Sequence, residues 1–456
     1  MPKNLSRSLF LATALLLLIA VAWFARHLSA ERRVESLLAD LSGTDRDAAS
    51  AAADELSKLT SPSLISLVVS RYGDPDSDDS RAVAAVLVHI GEPAVKPLIV
   101  DLRRLPWGWY QARESVPPPA LKPADIARKT GLADILAKIG EPAIAPLVQL
   151  ADAATDSFIS SAAIEALGKI GAPALDDLLT LLNSGRDDLR GYAARALFQT
   201  RDQRAALPLV AILNNRRERP ALRATIAWVL GRFPCLEAFD ALAAAAKDTS
   251  SEVRLSVMTG LSGQTDPRAA DILLAALDDR DPDVRAAVAY GLGEKKDPRA
   301  LAPLASLALN DSYIRDPAVE ALRKIGPASV LDSFRAALNE GPRERRQNAA
   351  VALEVLSGPS ARADVDAFLG DVDPAKVADD CDSWIAKGTP GTEWILIIAL
   401  ERCGDLGTAR KLLLCDNPVL RNAANYWLRR NNLTLPDEPS FIPLQWGSAS
   451  RPQSQR

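Results

Sequence analysis

Between Ser251 and Leu301 the chain reads SEVRLSVMTGLSGQTDPRAADILLAALDDRDPDVRAAVAYGLGEKKDPRAL, and it says the same thing twice. Val253-Arg254, Gly260-Leu261 and Asp266-Pro267-Arg268-Ala269 return as Val284-Arg285, Gly291-Leu292 and Asp297-Pro298-Arg299-Ala300, each 31 residues later. Self-similarity at a fixed period of this size marks a solenoid, whose units bury their apolar faces against one another instead of around one core.

The repeat extends in both directions. Its landmark is a leucine near the end of the second helix of each unit, at Leu56, Leu87, Leu136, Leu167, Leu197, Leu230, Leu261, Leu292, Leu322, Leu353, Leu400 and Leu428. Most of the spacings are 30–33 residues, and two gaps, of 49 and 47, carry insertions. Each unit opens on a helix such as 300–307, with apolar residues at helical spacing. An Asp-rich turn follows, as in Asp278-Asp279-Arg280-Asp281-Pro282, where Asp can cap the next helix and Pro suits its first turn. Small residues dot the second helix, and Gly91, Gly140, Gly171 and Gly326 stand where a left-handed residue can end it. Strand patterns are absent, so the expected class is all-α.

The Asp-turn, the Val-Arg pair and the Leu-Gly-x-Ile-Gly ending (Leu167 to Gly171) together resemble HEAT repeats, in particular the short bacterial type named after phycobilisome lyases. The resemblance covers roughly Ser50 to Asn432. It implies a right-handed, armadillo-like α-solenoid of about twelve HEAT-like helix pairs, tied by a ladder of hydrogen bonds between Asp and Arg of successive repeats. An arginine stands seven residues before the landmark in seven units: Arg190, Arg223, Arg254, Arg285, Arg315, Arg346 and Arg421. By the resemblance Asp281 would pair with Arg285 and Asp311 with Arg315. Lys129 holds the same place in another unit, while Ser80, Ser160 and Glu393 replace the arginine and would interrupt the ladder.

Outside the array, Ser8 to Ala25 carries no charge, and eighteen helical residues span about 27 Å, close to the hydrocarbon core of a bilayer. The domain order read from this is a basic flank with a transmembrane or signal-anchor helix (1–30), a polar lead-in (31–49), the array (50–433, insertions at 103–126 and 358–392) and a disordered tail (434–456). The expected placement is a single-pass protein of a bacterial inner membrane with its bulk on the periplasmic side. Two alternatives stay open: cleavage after Ala20-Val21-Ala22 to leave a soluble periplasmic protein, and a cytoplasm-facing array.

Composition excludes more than it assigns. With only two histidines, His27 and His89, a Ser-His-Asp triad or a two-histidine metal site has almost nothing to use. No P-loop, H-E-x-x-H, dinucleotide fingerprint or CxxC pair occurs, and no cofactor or metal is expected. The Asp run at 371, 373, 379, 380 and 382 lacks the EF-hand spacing. A formal net charge of −4 disfavours nucleic acid, and nothing points to a small molecule. The resemblance to phycobilin lyase subunits implies, as the enzymatic alternative, work on a protein-bound chromophore.

What remains is a surface. Positions two before and two after each landmark lie one turn apart and share a face. The first row runs Asp134, Glu165, Arg195, Trp228, Thr259, Tyr290, Glu320, and the second Lys138, Lys169, Gln199, Arg232, Gly263, Glu294, Lys324. Neither row repeats, although the scaffold does. By the resemblance the second helices line the concave face, so the candidate partner-binding residues are Glu165, Arg195, Trp228, Arg232, Tyr290 and Glu294. Trp107, Trp109 and Tyr110 of the first insertion join them, either as packing or as anchors for a protein partner.

Overall fold

The computed structural model describes residues 26, 28–104, 123–154, 157–200, 202–370, 372–387, 392–404 and 406–415, and then 417, 420–421, 424–425, 427–428, 431 and 433. Among them every element is helical, and they fall into two compact units, Met1–Leu209 and Val210–Arg456.

In the first unit the second helices of successive repeats are Arg46–Leu56, Asp78–Ile90, Pro123–Ile139, Ser157–Ile170 and Asp187–Gln199, each packed against the next. The first helices Pro62–Arg71, Glu92–Arg104 and Ile144–Ala153 form a parallel layer. The second unit repeats this with second helices Pro220–Leu230, Ser251–Gly263, Pro282–Lys295, Arg315–Ile325, Arg343–Ser357 and Thr392–Cys403. The landmark leucines explain the layering, because each projects between the layers and every one is buried. Burying one is worth about 1.5–3 kcal/mol, and each repeat adds further buried Leu, Ile and Val side chains from both layers, such as Ile164, Leu178 and Leu182 beside Leu167.

Close approach of the second helices needs small side chains. A Cβ on Gly231 would lie 2.2 Å from the Cα of Gly260, and one on Gly293 2.8 Å from the Cα of Ala321. The glycines ending other second helices are not in the left-handed helical region expected for them. Gly171, for example, has φ 89° and ψ −141°, a conformation essentially open only to glycine.

The arginines seven residues before the landmark form a ladder whose register differs from the implied one. Arg254 donates from Nε and Nη2 to the carboxylate of Asp279 in the next repeat (2.7 and 2.8 Å), and from Nη1 to the Asp248 carbonyl in its own turn (2.9 Å). Arg223 reaches Asp248 in the same way, and Arg285 reaches Asp311 at 2.6 Å. Each aspartate is held by the backbone N–H two residues on, of Ser250, Asp281 and Tyr313 (2.9–3.0 Å). The pairings of Asp281 with Arg285 and of Asp311 with Arg315 are therefore corrected. Asp281 accepts from the Asp283 N–H as the cap of its own helix, and Asp311 belongs to the arginine one repeat earlier.

Elsewhere the ladder changes chemistry. Arg315 is left with Asp316 (2.8 Å) and Asn348 (3.3 Å), and its buried Nη2 has no hydrogen-bond partner. Arg190 and Arg421 donate to the carbonyls of Leu182 (3.0 Å) and Cys415 (2.7 Å), while Arg346 leaves its Nε buried and unbonded. Ser160 donates to the Ala151 carbonyl at 2.9 Å, and at Glu393 the polarity reverses, with Asn417 donating to the carboxylate at 3.2 Å. Lys129 is fully buried, its ammonium 5.9 Å from the Phe158 ring centroid.

The second insertion folds as three short helices, Arg362–Leu369, Pro374–Asp379 and Cys381–Lys387. Asp373 caps the middle one through the Ala375 N–H (3.0 Å), and no acidic cluster fit to hold a metal occurs among the described residues.

The single-pass membrane placement is corrected. Among the described residues no helix is long and apolar enough to cross a membrane. The physical reason is the repeat itself: its helices run from 6 to 17 residues and carry charge on the face away from the core. The run 8–25, on which that placement was read, lies outside the described residues.

Candidate partner-binding faces on the second helices

In the first unit, Glu165 and Arg195 come together across neighbouring second helices. With Ser161, Tyr192, Ala196 and Gln199 they line a polar cavity of about 140 Å³. Glu165 is already compensated, since Lys169 one turn along lies 2.9 Å from it and 2.6 Å from Asp134 of the preceding repeat. Burial works against the Lys169 charge, but its hydrogen bonds to Asp134 and Glu165 outweigh that and hold the ammonium above the usual lysine range. Arg195 is exposed and has no carboxylate or carbonyl partner among the described residues.

In the second unit, Trp228 and Arg232 form one device. The guanidinium carbon lies 3.4 Å from the indole centroid, and Nη1 donates to the Trp228 carbonyl at 2.7 Å. Desolvation over the ring lowers the Arg232 pKa from its ordinary value. Two repeats on, Tyr290 is 55% exposed, with the Lys324 ammonium 4.8 Å from its centroid. Lys324 also bridges to Glu294 at 2.6 Å, so that carboxylate is spoken for as well. Between the two aromatic stations lies the helix Ser251–Gly263, which exposes only Thr259 and Gly263 along this line. The face is thus two cation-capped rings flanking a low floor, each stack worth about 0.5–1 kcal/mol where exposed.

Several sequence candidates fall elsewhere. Trp107, Trp109 and Tyr110 lie outside the described residues. His89 is exposed. Arg402, two residues after the landmark Leu400, has its side chain buried and paired with Glu354 through Nε and Nη2 (2.8 and 2.9 Å). Cys403 and Cys415 are free thiols, as are Cys235 and Cys381. Of the arginine-rich stretch 186–232, Arg186, Arg204 and Arg223 are ion-paired to Asp188, Asp202 and Asp248.

Spacing alone passed over two groups. Ser161 and Tyr192 lie one turn before the rows considered, and extending the same face backwards by a turn finds them. The repeated Asp-Pro-Arg letters also build an outer set of ion pairs: Arg268 and Arg299 bond their own Asp266 and Asp297 at 2.7 Å. They then reach Asp240 and Asp271 of the preceding first helix at 3.4 and 2.7 Å.

Stacked helix pairs, small residues at helix crossings and an Arg–Asp ladder between repeats define a class of α-solenoid. The HEAT repeat model matches residues 120–198, 206–283 and 271–354, together half of the chain, and the PBS lyase HEAT-like repeat matches residues 189–215. The chain belongs to the HEAT repeat family. Among solved structures it is similar to human deoxyhypusine hydroxylase in complex with glycerol, at 20% identity and TM-score 0.25, covering 58% of this chain and 96% of that one. Similar too is YibA of E. coli, at 20% identity and TM-score 0.34, covering 60% and 98%. A third is Kap95p, in a structure where its binding induces the RanGDP switch loops to adopt the GTP-bound conformation, at 13% identity and TM-score 0.41, covering 87% and 61%. No curated protein sequence matches the chain.

Proposed function

We propose that the chain is a non-catalytic scaffold that binds protein partners on the exposed face of its second helices. The observation that carries this is a division of labour within single helices. Residues that recur along the second helices are buried or tied into the ladder, while the outward positions beside them do not recur and include the half-buried Trp228 and the exposed Tyr290. Aromatic and arginine side chains are the residues in which binding energy at protein interfaces concentrates. Cation-capped rings over a floor of Thr259 and Gly263 suit a segment laid across the helices.

Site-specific photo-crosslinking tests it. A crosslinker at position 290 should trap the same partner band as one at 259. One at Asp240 or Asp271, on the first helices, should not, and Trp228→Ala with Arg232→Glu should abolish the band while the helical circular dichroism persists. Equal trapping from both layers would sink the reading.

A further inference from the structure

We propose that the cavity lined by Ser161, Glu165, Tyr192, Arg195 and Gln199 in the first unit is an anchor pocket for one acidic side chain of a bound protein segment. This deepens the scaffold reading and rests on it. Size comes first. At about 140 Å³ the cavity falls below the roughly 300–1,000 Å³ of pockets that enclose whole small molecules or cofactors, and it suits a single side chain entering from a longer ligand.

Charge then selects the occupant. Both carboxylates at this place, Asp134 and Glu165, share the ammonium of Lys169 at 2.6 and 2.9 Å. Lys169 is thereby committed to two carboxylates, and Arg195 is the one cation of the cavity lining, with no carboxylate within ion-pair distance among the described residues. A guanidinium offers a planar fork of donors that a carboxylate meets bidentately, and a charge-assisted pair of that kind is shorter and stronger than a neutral one. The remaining lining provides hydroxyl groups from Ser161 and Tyr192 and the amide of Gln199, all able to donate to the same carboxylate. A basic occupant would have only Glu165, already held by Lys169, and would place its charge against Arg195. An apolar one would cover these polar groups without satisfying them.

The test is panning of a randomised twelve-residue peptide display library on the full chain, followed by titration of a selected peptide. The expected result is a fixed Asp or Glu in the selected peptides. Its replacement by Asn or Gln should weaken binding about tenfold or more. Arg195→Ala should cost the same factor, and the two changes together little more than either alone; Arg195→Lys should recover part. Arg195 is exposed, so an unchanged thermal melt accompanies these variants. A basic or apolar consensus, or peptide and protein substitutions whose effects simply multiply, would overturn the pocket. Peptides that depend on Trp228 and Tyr290 but not on Arg195 would overturn the pocket alone. Peptides that depend on neither face would overturn the scaffold reading with it.

Discussion

At the scale of single residues, the ladder shows why sequence spacing can name the right residues and still pair them wrongly. Asp281 and Arg285 are four apart, the separation of neighbours on a helix surface, yet Asp281 is spent on the Asp283 N–H as a cap. The arginine is long enough to reach forward, and the carboxylate it meets is 25 or 26 residues away. The same rule locates a defect. The partner position for Arg315 is Glu340, which is exposed, while Arg315 keeps an unbonded buried Nη2. The cause lies two residues on: Asp248 and Asp279 are held by the backbone N–H groups of Ser250 and Asp281, and at the corresponding place stands Pro342, which has none. Glu340→Asp alone supplies the shorter carboxylate without the donor that fixes it. Glu340→Asp with Pro342→Ala supplies both. In a double-mutant cycle followed by urea unfolding the two changes should couple favourably by about 1 kcal/mol. A coupling of zero would show that Arg315 does not accept the ladder partner.

At the scale of elements, the helices were legible because amphipathic spacing recurs along the array and Asp caps or Pro starts mark several of them, as at Asp45, Asp281 and Pro282. Their contacts were less so. Whether a small residue marks a crossing or merely a tolerant surface depends on which helix lies opposite, and one chain's spacing does not state that. Gly231 and Gly260 are such a pair, whereas Gly263 is exposed and contributes to the floor beside Trp228. The proposed binding faces were legible to the same depth. Glu165, Lys169 and Arg195 could be put on one face by counting, but the bridges of Lys169 to Asp134 and of Lys324 to Glu294 depend on cross-helix distances. The crossing gives a sharp expectation. Gly231→Ala places a methyl 2.2 Å from the Cα of Gly260, where only backbone could yield. The helices must separate, at a cost of about 1–3 kcal/mol in denaturant unfolding, whereas Gly263→Ala should change stability by less than about 1 kcal/mol. Equal effects at the two sites would mean that this crossing is not tight.

At the scale of the whole molecule, a solenoid's stability is approximately a sum of repeats and nearest-neighbour interfaces, so a change of pH should act region by region. Burial would raise the carboxyl pKa values of Asp248 and Asp279, but hydrogen bonds from Arg223 and Arg254 overcome this and hold both below the usual aspartate range. A carboxyl depressed in the folded state stabilises it at every pH above the unfolded value, about 4, and that contribution disappears as the pH falls through the lower folded value. Acid therefore loosens the repeats joined by Asp–Arg rungs. The junction at Ser160 is different, because there a neutral hydroxyl donates to the Ala151 carbonyl and the rung itself has no carboxylate to titrate. Hydrogen exchange at pH 7 and again well below pH 4, corrected for the intrinsic rate, should show the largest loss of protection in Ser251–Gly263 and Pro282–Lys295. Ser157–Ile170 should lose much less. Asp279→Asn should lower protection at pH 7 in the first two helices and flatten their pH dependence, since the amide cannot titrate. Uniform loss along the chain would mean that the array unfolds as one cooperative block and that the rungs do not set its local stability.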